Sequence, residues 1–583
     1  MKPISVHTIA GTRYTLGQLG QLAAAWWRSS QKSKARNLAL GLGALTLAQV
    51  GLAIWLNYWN RALFDALDAR LMSELLRQVG VFALLFALTM VITGLHLHVK
   101  RRLQVGWRQW LTQELIGNWM TKGQHYRLLY TPGEHDNPDG RIAEDIRIAT
   151  ETAVALGHTL LFSVVILGTF VDILWEVSGS ATMPGTAVTV PGYLVVLAFL
   201  YAGIGAVLGG LLGRPLIKST NRLQTAEANF RFGLAKAREN SEGIALLRGE
   251  QSERRHSGRQ LEDVALGWNR QTVAYLWIVS FSTGYGTLLP LFPILVAAPQ
   301  YISGAMTLGI LMQAAQAFQR LTGALSWPID SLGDIAKCRA SADRVLSLYL
   351  DLKRLETSAA TPDEHRIDVT QSKTPAISIR DLAIASPDGK LLLQHFNAEI
   401  HRGERVLITG DSTLANALFK IFAGLWPWGR GEVALPPTER MEFLSQRPFL
   451  PAGTLRDALS YPRMSDEFKP REFHAALERA GAGALVPRLD ETGAWDRLLT
   501  VRMLQRAAFA RMFLHRPEWV FIEEAPDVLN KEEEGAFMDA LRSELPHATV
   551  VTVCVHSEVE RHHTRKLVLT RITTEPQLLE ANR

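Results

Sequence analysis

Six apolar stretches of membrane-spanning length occupy the first 330 residues of the chain, at 38–58, 79–99, 153–174, 193–212, 274–298 and 306–327. Several run about 20 residues with almost no charge, the length a helix needs to cross roughly 30 Å of hydrocarbon. Buried soluble helices account poorly for such runs. Arg28, Lys32, Lys34 and Arg36 precede the first stretch, and the second and fourth connectors are rich in Lys and Arg. The third connector, 177–192, and the fifth, 299–305, contain neither residue. Because Lys and Arg accumulate on cytoplasmic connectors, both termini are expected in the cytoplasm. Residues 1–20 have no continuous apolar core, so no cleavable signal peptide is expected.

At 583 residues and 47% hydrophobic, the chain exceeds what one core holds. The two basic connectors are long and helical in pattern, and read as membrane helices extended into the cytoplasm. Glu227 stands four residues before Arg231, the spacing of a helix-face ion pair. Near residue 352 the pattern lapses into Thr, Ser, Asp, Glu and Pro, which marks a linker. The expected division is a transmembrane domain over 1–350, a linker over 351–375 and an α/β nucleotide-binding domain over 376–583. Cys338 and Cys554 offer neither a disulfide framework nor metal-ligand spacing, so no metal is expected and both read as buried packing residues. The formal charge of +6 is modest, and no nucleic-acid partner is expected.

Within the soluble part, Arg405-Val-Leu-Ile-Thr-Gly-Asp-Ser-Thr-Leu-Ala-Asn-Ala-Leu-Phe-Lys420 reads as a strand, a turn opening at Gly410, and a helix reaching Ala423. That is the setting of a phosphate-binding loop, G-x-x-x-x-G-K-[ST], whose backbone N–H groups cradle phosphates while the Lys reaches the outer ones. The frame is present, but its chemistry is missing. Ala415 holds the position of the second loop glycine, Asn416 that of the Lys, and Ala417 that of the Mg²⁺-binding hydroxyl. Thr413 and Leu414 stand where small residues favour a tight anion nest. Lys420 lies about 6 Å further along the helix by its rise and does not replace the missing ammonium.

Six spans followed by a soluble nucleotide-loop domain outline an exporter-type ATP-binding-cassette (ABC) half-transporter. The motifs Asn60-Arg-Ala-Leu-Phe-Asp-Ala-Leu67, Trp107-Arg-Gln-Trp-Leu-Thr112, Asp136-Asn-Pro-Asp-Gly-Arg-Ile-Ala-Glu-Asp145, Gly213-Arg-Pro-Leu-Ile217 and Gly323-Ala-Leu-Ser-Trp327 narrow the outline. The chain resembles the SbmA/BacA-like bacterial transporters with their ATPase-bearing relatives of the YddA type, and more distantly the peroxisomal fatty-acyl transporters. Gly140 departs from the Gln usual in that family's N-P-D-Q run. The resemblance implies a type 1 exporter fold, a homodimer in a bacterial inner membrane, ATP with Mg²⁺ as cofactor, and peptide-like, antibiotic-like or cobalamin-like cargo. It also locates the remaining cassette elements. Gln446-Arg-Pro-Phe449 stands for the glutamine loop, whose Gln446 position contacts Mg²⁺ in the family. Leu499-Thr-Val-Arg-Met-Leu-Gln-Arg506 stands for the signature, with Thr500 at its Ser, Arg502 at its Gly and Met503 at its Glu. Trp519-Val-Phe-Ile-Glu-Glu524 ends in Glu523, on the Mg²⁺ side, and Glu524, at the general-base position. Asp527-Val-Leu-Asn530 comes next, and Val555 takes the place of the switch His, with His556 one residue late. A Lys–phosphate contact is worth roughly 1.5–3 kcal/mol. Losing it together with the hydroxyl, the signature Gly and the switch His predicts weak ATP binding or none, and no hydrolysis. Each composite site in the family joins one copy's loop to the other's signature, so a second protein as partner does not repair either site.

Asp172 lies near the end of the third apolar stretch, with Glu176 four residues on and on the same helix face. A carboxylate at bilayer depth costs roughly 2.5–3.5 kcal/mol and marks a functional position by default, whereas one at the interface is merely wet. Both are therefore candidates for proton coupling. His96 and His98 sit near the cytoplasmic end of the second stretch, beside Lys100 to Arg102, and read as interfacial. Three activities fit the sequence: a transporter with an idle cassette, an ATP-driven transporter with a slow site, and a non-transporting sensor or scaffold.

Overall fold

A computed structural model describes residues 24, 26–130, 137–182, 189–360, 366–372, 374–437, 440–523, 531–553 and 557–571. The chain forms two compact units, one of residues 1–118 and 135–351, the other of 119–134 and 352–583.

The first unit is built on long helices: α1 (Lys32–Asp68), α2 (Met72–Met120), α3 (Ile146–Ser178), α4 (Tyr193–Glu239), α5 (Glu250–Ile302), α6 (Leu308–Asp330) and α7 (Leu332–Ala360). Five of these, α1 to α5, are long and apolar enough to cross a membrane. At 47 and 53 residues, α4 and α5 reach roughly 70–80 Å, more than twice the bilayer core. A six-residue helix, Ser241–Leu246, links them. Glu227 and Arg231 both lie on α4 but form no ion pair with each other, in contrast to the sequence expectation.

The sixth apolar stretch forms α6, which is less apolar than the other five because it carries Gln313, Gln316, Gln319 and Arg320. Its position in the bundle explains that composition. It packs on α1, α3, α4 and α5, and Ala314, Ala317, Phe318 and Leu321 are buried in the core of this unit. The Asn57 amide donates to the Gln313 carbonyl (3.2 Å) and to Gln316 Oε1 (3.0 Å), and Gln313 Nε2 donates back to Asn57 Oδ1 (3.1 Å). Amides paired between helices tie a bundle together where water is excluded. Where α6 begins, the Gly309 amide donates to Asp65 Oδ1 (3.0 Å), and a Cβ on Gly309 would lie 2.3 Å from the Arg61 carbonyl, so only glycine lets α1 approach. A short hairpin, β1 (Ser180–Thr182) with β2 (Thr189–Pro191), joins α3 to α4.

Among the described residues, most of the linker expected over 351–375 is helix or strand. α7 continues to Ala360 with Leu346, Leu348 and Leu352 buried, and β3 (Ile367–Gln371) is already a sheet strand. Apolar spacing within 345–352 extends the helix past the point where composition alone suggested a break.

In the second unit, β3 joins β4 (Ala376–Ala385), β5 (Leu391–His401) and β7 (Gly429–Leu435) in a four-stranded sheet of order β3-β7-β4-β5. A five-stranded parallel sheet has the order β11-β6-β10-β9-β8, from β6 (Arg405–Gly410), β8 (Met441–Leu444), β9 (Trp519–Glu523), β10 (Thr549–Val553) and β11 (Arg565–Leu569). Its strands read as near-continuous apolar runs, as a parallel sheet covered on both faces requires. Helices α8 (Ser412–Phe422), α9 (Val501–His515) and α10 (Lys531–Glu544) flank it. Residues 119–130 belong to this unit. The Arg127 guanidinium donates to the Gly424 carbonyl (3.1 Å), Tyr130 meets Trp428 edge-on at 5.0 Å, and Lys420 lies over the Tyr126 ring at 5.9 Å. Burial, with the Arg366 cation second, lowers the Arg127 pKa, and the hydrogen bond with Tyr126 raises that of Tyr130.

Candidate functional site

Gly410 ends β6 with φ +118°, and a Cβ there would lie 2.0 Å from the Leu569 carbonyl of the neighbouring strand. The turn therefore exists as the sequence indicates, and glycine is the residue it requires. Beyond Gly410 the chain departs from a phosphate loop. α8 begins at Ser412, four residues before Asn416, so the segment that would wrap a phosphate is the first turn of a helix. Asp411 caps it: its Oδ1 accepts from the Leu414 amide (3.0 Å), and its carbonyl accepts from Ala415 (3.0 Å). A carboxylate thus occupies the positive end of the helix and uses a donor that an anionic ligand would need. Leu414, Ala415 and Ala417 are buried in the apolar core beneath the sheet and offer a ligand no polar group.

Asn416, at the Lys position, donates through Nδ2 to Glu523 Oε1 at the end of β9. The structure so brings together two residues singled out in the sequence, and each satisfies the other. Lys420, in the last turn of α8, lies over the rings of Tyr126 (5.9 Å) and Trp426 (5.8 Å).

Gln446 is exposed, and its carbonyl accepts from Gln505 Nε2 (2.8 Å), which ties the glutamine-loop segment to α9. Arg511 reinforces that tie, donating to the Phe449 carbonyl (2.9 Å) and pairing with Glu442 (3.3 Å). Thr500 caps α9, its hydroxyl accepting from the Met503 amide (3.3 Å). Arg502 places a cation in the first turn of α9, where the helix dipole disfavours it. Glu533 of α10 offsets this by pairing with Arg502 (3.5 Å) and Arg506 (2.9 Å). Among the described residues, no hydrogen bond joins Thr500 or Arg502 to the 410–417 segment. Glu524, Asp527 to Asn530, Cys554, Val555 and His556 lie outside the described residues.

Asp172 and Glu176 are both exposed on α3, and neither forms an ion pair among the described residues. Cys338 is half-buried rather than buried, because it sits on the flank of α7, and burial followed by the Asp334 charge raises its thiol pKa. Sequence reasoning missed Asp411, Glu442, Gln505 and Glu533. Asp411 carried a signal, since an Asp directly before a helical pattern is a cap; the other three act through contacts distant in sequence.

Residues 25–296 match the family described as ABC transporter transmembrane region 2. The chain is 28% identical to the Escherichia coli inner membrane ABC transporter ATP-binding protein YddA, over 91% of this chain and 92% of that one. It is 24% identical to the chloroplastic ABC transporter D family member 2 of Arabidopsis thaliana (96% and 87% of the two chains). It is 25% identical to the human lysosomal cobalamin transporter ABCD4 (74% and 75%). The homologues of this chain are thus ABC-type membrane transporters, and the chain itself has a helical membrane region followed by an α/β nucleotide-binding domain.

Proposed function

We propose that the chain is a homodimeric inner-membrane transporter with six spans per copy, a type 1 exporter fold and cytoplasmic termini, whose cassette clamps the dimer without hydrolysing ATP. The Asp411 cap carries the second half of this reading: it fills the N-terminal end of α8 with a carboxylate and leaves no open loop for phosphates. The Asn416–Glu523 pair and the Arg502–Glu533 pair support it, because residues at the phosphate, Mg²⁺ and signature positions are already engaged. The full chain in detergent or nanodiscs is expected to hydrolyse no ATP above background, with Glu524→Gln changing nothing. An ATPase rate that this substitution abolishes restores the reading of a slow ATP-driven transporter.

Proton coupling through Asp172 and Glu176 is the second part of the proposal. It is supported by two unpaired carboxylates at i, i+4 near the end of a membrane helix. Uptake is expected to collapse with a protonophore while ATP is plentiful, and Asp172→Asn with Glu176→Gln is expected to abolish it. Uptake that survives the double substitution makes the carboxylates interfacial bystanders; no uptake under any gradient favours a sensor or scaffold. The cargo we infer is cobalamin-like, from the similarity to the cobalamin transporter ABCD4, or peptide-like, from the family resemblance of the sequence motifs.

A further inference from the structure

A cleft of about 660 Å³ lies in the membrane unit between α4 and α5, at the cytoplasmic end of their apolar stretches. Lys218 and Arg222, one helical turn apart on α4, line it together with Arg270 of α5. Asp263 is the one carboxylate among its lining residues, which leaves an excess of two positive charges. None of the three cations has an ion-pair partner among the described residues. Trp277 and Leu266 supply an apolar flank, and Trp277 is 66% exposed.

The two helices are fixed beside this cleft. Gln271 Nε2 donates to Thr220 Oγ1 (2.9 Å), and α5 approaches closely at Gly267, where a Cβ would stand 3.1 Å from Leu223. The convergence of three cations is therefore a property of the packed helix pair and not of loose side chains. Depth can be read from helix rise. Arg270 lies about 6 Å below the start of the apolar stretch at 274, and Lys218 and Arg222 lie about 9–15 Å below the end of the stretch at 212. Arg270 is thus within the headgroup layer, about 5–7 Å thick. Lys218 and Arg222 stand just beneath it, where long side chains reach up to the phosphates. The indole of Trp277 is at the hydrocarbon boundary, where tryptophan is favoured.

We propose that this cleft binds the phosphate of an anionic phospholipid from the cytoplasmic leaflet, its acyl chains running up the apolar flank past Trp277. Cations clustered between helices at the cytoplasmic face recognise anionic headgroups in this way. The proposal rests on the membrane placement of α4 and α5 and is independent of the state of the nucleotide site. A soluble phosphate shares the headgroup chemistry, and the apolar flank favours the lipid.

The test uses the full chain in micelles doped with brominated phosphatidylglycerol or brominated phosphatidylcholine. The Trp277 signal is the fluorescence difference between wild type and Trp277→Phe. Half-quenching is expected at a mole fraction about five-fold or more lower for the glycerol lipid. The triple variant Lys218→Gln, Arg222→Gln, Arg270→Gln is expected to erase that preference. The charge-keeping triple Lys218→Arg, Arg222→Lys, Arg270→Lys is expected to retain it, which separates charge from folding. Equal quenching by both lipids, or a preference that survives the neutral triple, overturns the proposal. So does release of the lipid by inorganic phosphate beyond the effect of chloride at equal ionic strength, which assigns the cleft to a soluble anion. A Trp277→Cys protein that cross-links to a second copy while lipid quenching is absent overturns it as well, because the groove is then a subunit contact.

Discussion

At the scale of single residues, the proposed closure of the site at the end of β6 rests on Asp411. A helix N-terminus attracts anions, and here the anion is the protein's own carboxylate, 3.0 Å from the Leu414 amide. Restoring the missing family side chains with Ala415→Gly, Asn416→Lys and Ala417→Ser is therefore expected to leave ATP binding undetectable by a fluorescent nucleotide titration. Adding Asp411→Gly to those three is expected to allow binding. Binding by the triple variant alone shows that the cap is not what closes the site. Asp411→Ala in the native chain is expected to lower cassette stability by about 1 kcal/mol, the ordinary cost of losing such a cap, read from its unfolding midpoint. This residue was legible in the sequence: Asp411-Ser-Thr-Leu reads as a cap and first turn. The phosphate-loop template competes for the same residues, and its turn at Gly410 is real, so the sequence alone supports a loop where the chain makes a helix.

At the scale of elements, legibility depends on the range of the interaction. Helices α1 to α5 announce themselves because each carries an uninterrupted apolar run, a property of local sequence alone. α6 reads as a sixth span too, but its polarity is explained only at long range, since Gln313 and Gln316 are matched by a residue far away in the chain, Asn57 of α1. Composition likewise marks 351–375 as a linker, while burial of Leu348 and Leu352 keeps α7 helical through the first two fifths of that segment. The docking of residues 119–130 on the cassette rests on Arg127 with Gly424, Tyr130 with Trp428 and Tyr126 with Lys420, pairs almost 300 positions apart that no local pattern encodes. The α1–α6 tie makes its own prediction. Asn57→Ala leaves Gln313 and Gln316 without their partner and is expected to destabilise the membrane unit by about 0.5–2 kcal/mol, the range for polar pairs between membrane helices. A thermal scan in detergent measures it, and Asn57→Ala with Gln313→Leu is expected to regain part of the loss, since the orphaned amide is then gone. An unchanged midpoint for Asn57→Ala means that the amide cluster does not hold the two helices together.

At the scale of the whole molecule, function turns on the parity of the crossings, and α6 decides it. With five crossings, the N-terminus and the cassette end on opposite faces of the membrane; with six, they share one face. Length and charge both favour six. α6 has 23 residues and reaches about 35 Å, enough for the hydrocarbon core, and two of its polar side chains, Gln313 and Gln316, pair with Asn57 of α1. Charge agrees, since 177–192 and 299–305 carry no Lys or Arg while the segments on the opposite side are rich in both. Single cysteines introduced at Ala181, Asn229, Gln300 and Ser358 in a background without Cys338 and Cys554 read the parity directly, with a membrane-impermeant maleimide added to intact cells. Ala181→Cys and Gln300→Cys are expected to label from outside, and Asn229→Cys and Ser358→Cys only after the membrane is opened. Labels at 181, 300 and 358 together, with 229 protected, leave α6 outside the bilayer and the count at five. The cassette would then be outside the cell, where neither cytoplasmic ATP nor a cytoplasmic dimer clamp has meaning, and the proposed function falls with it.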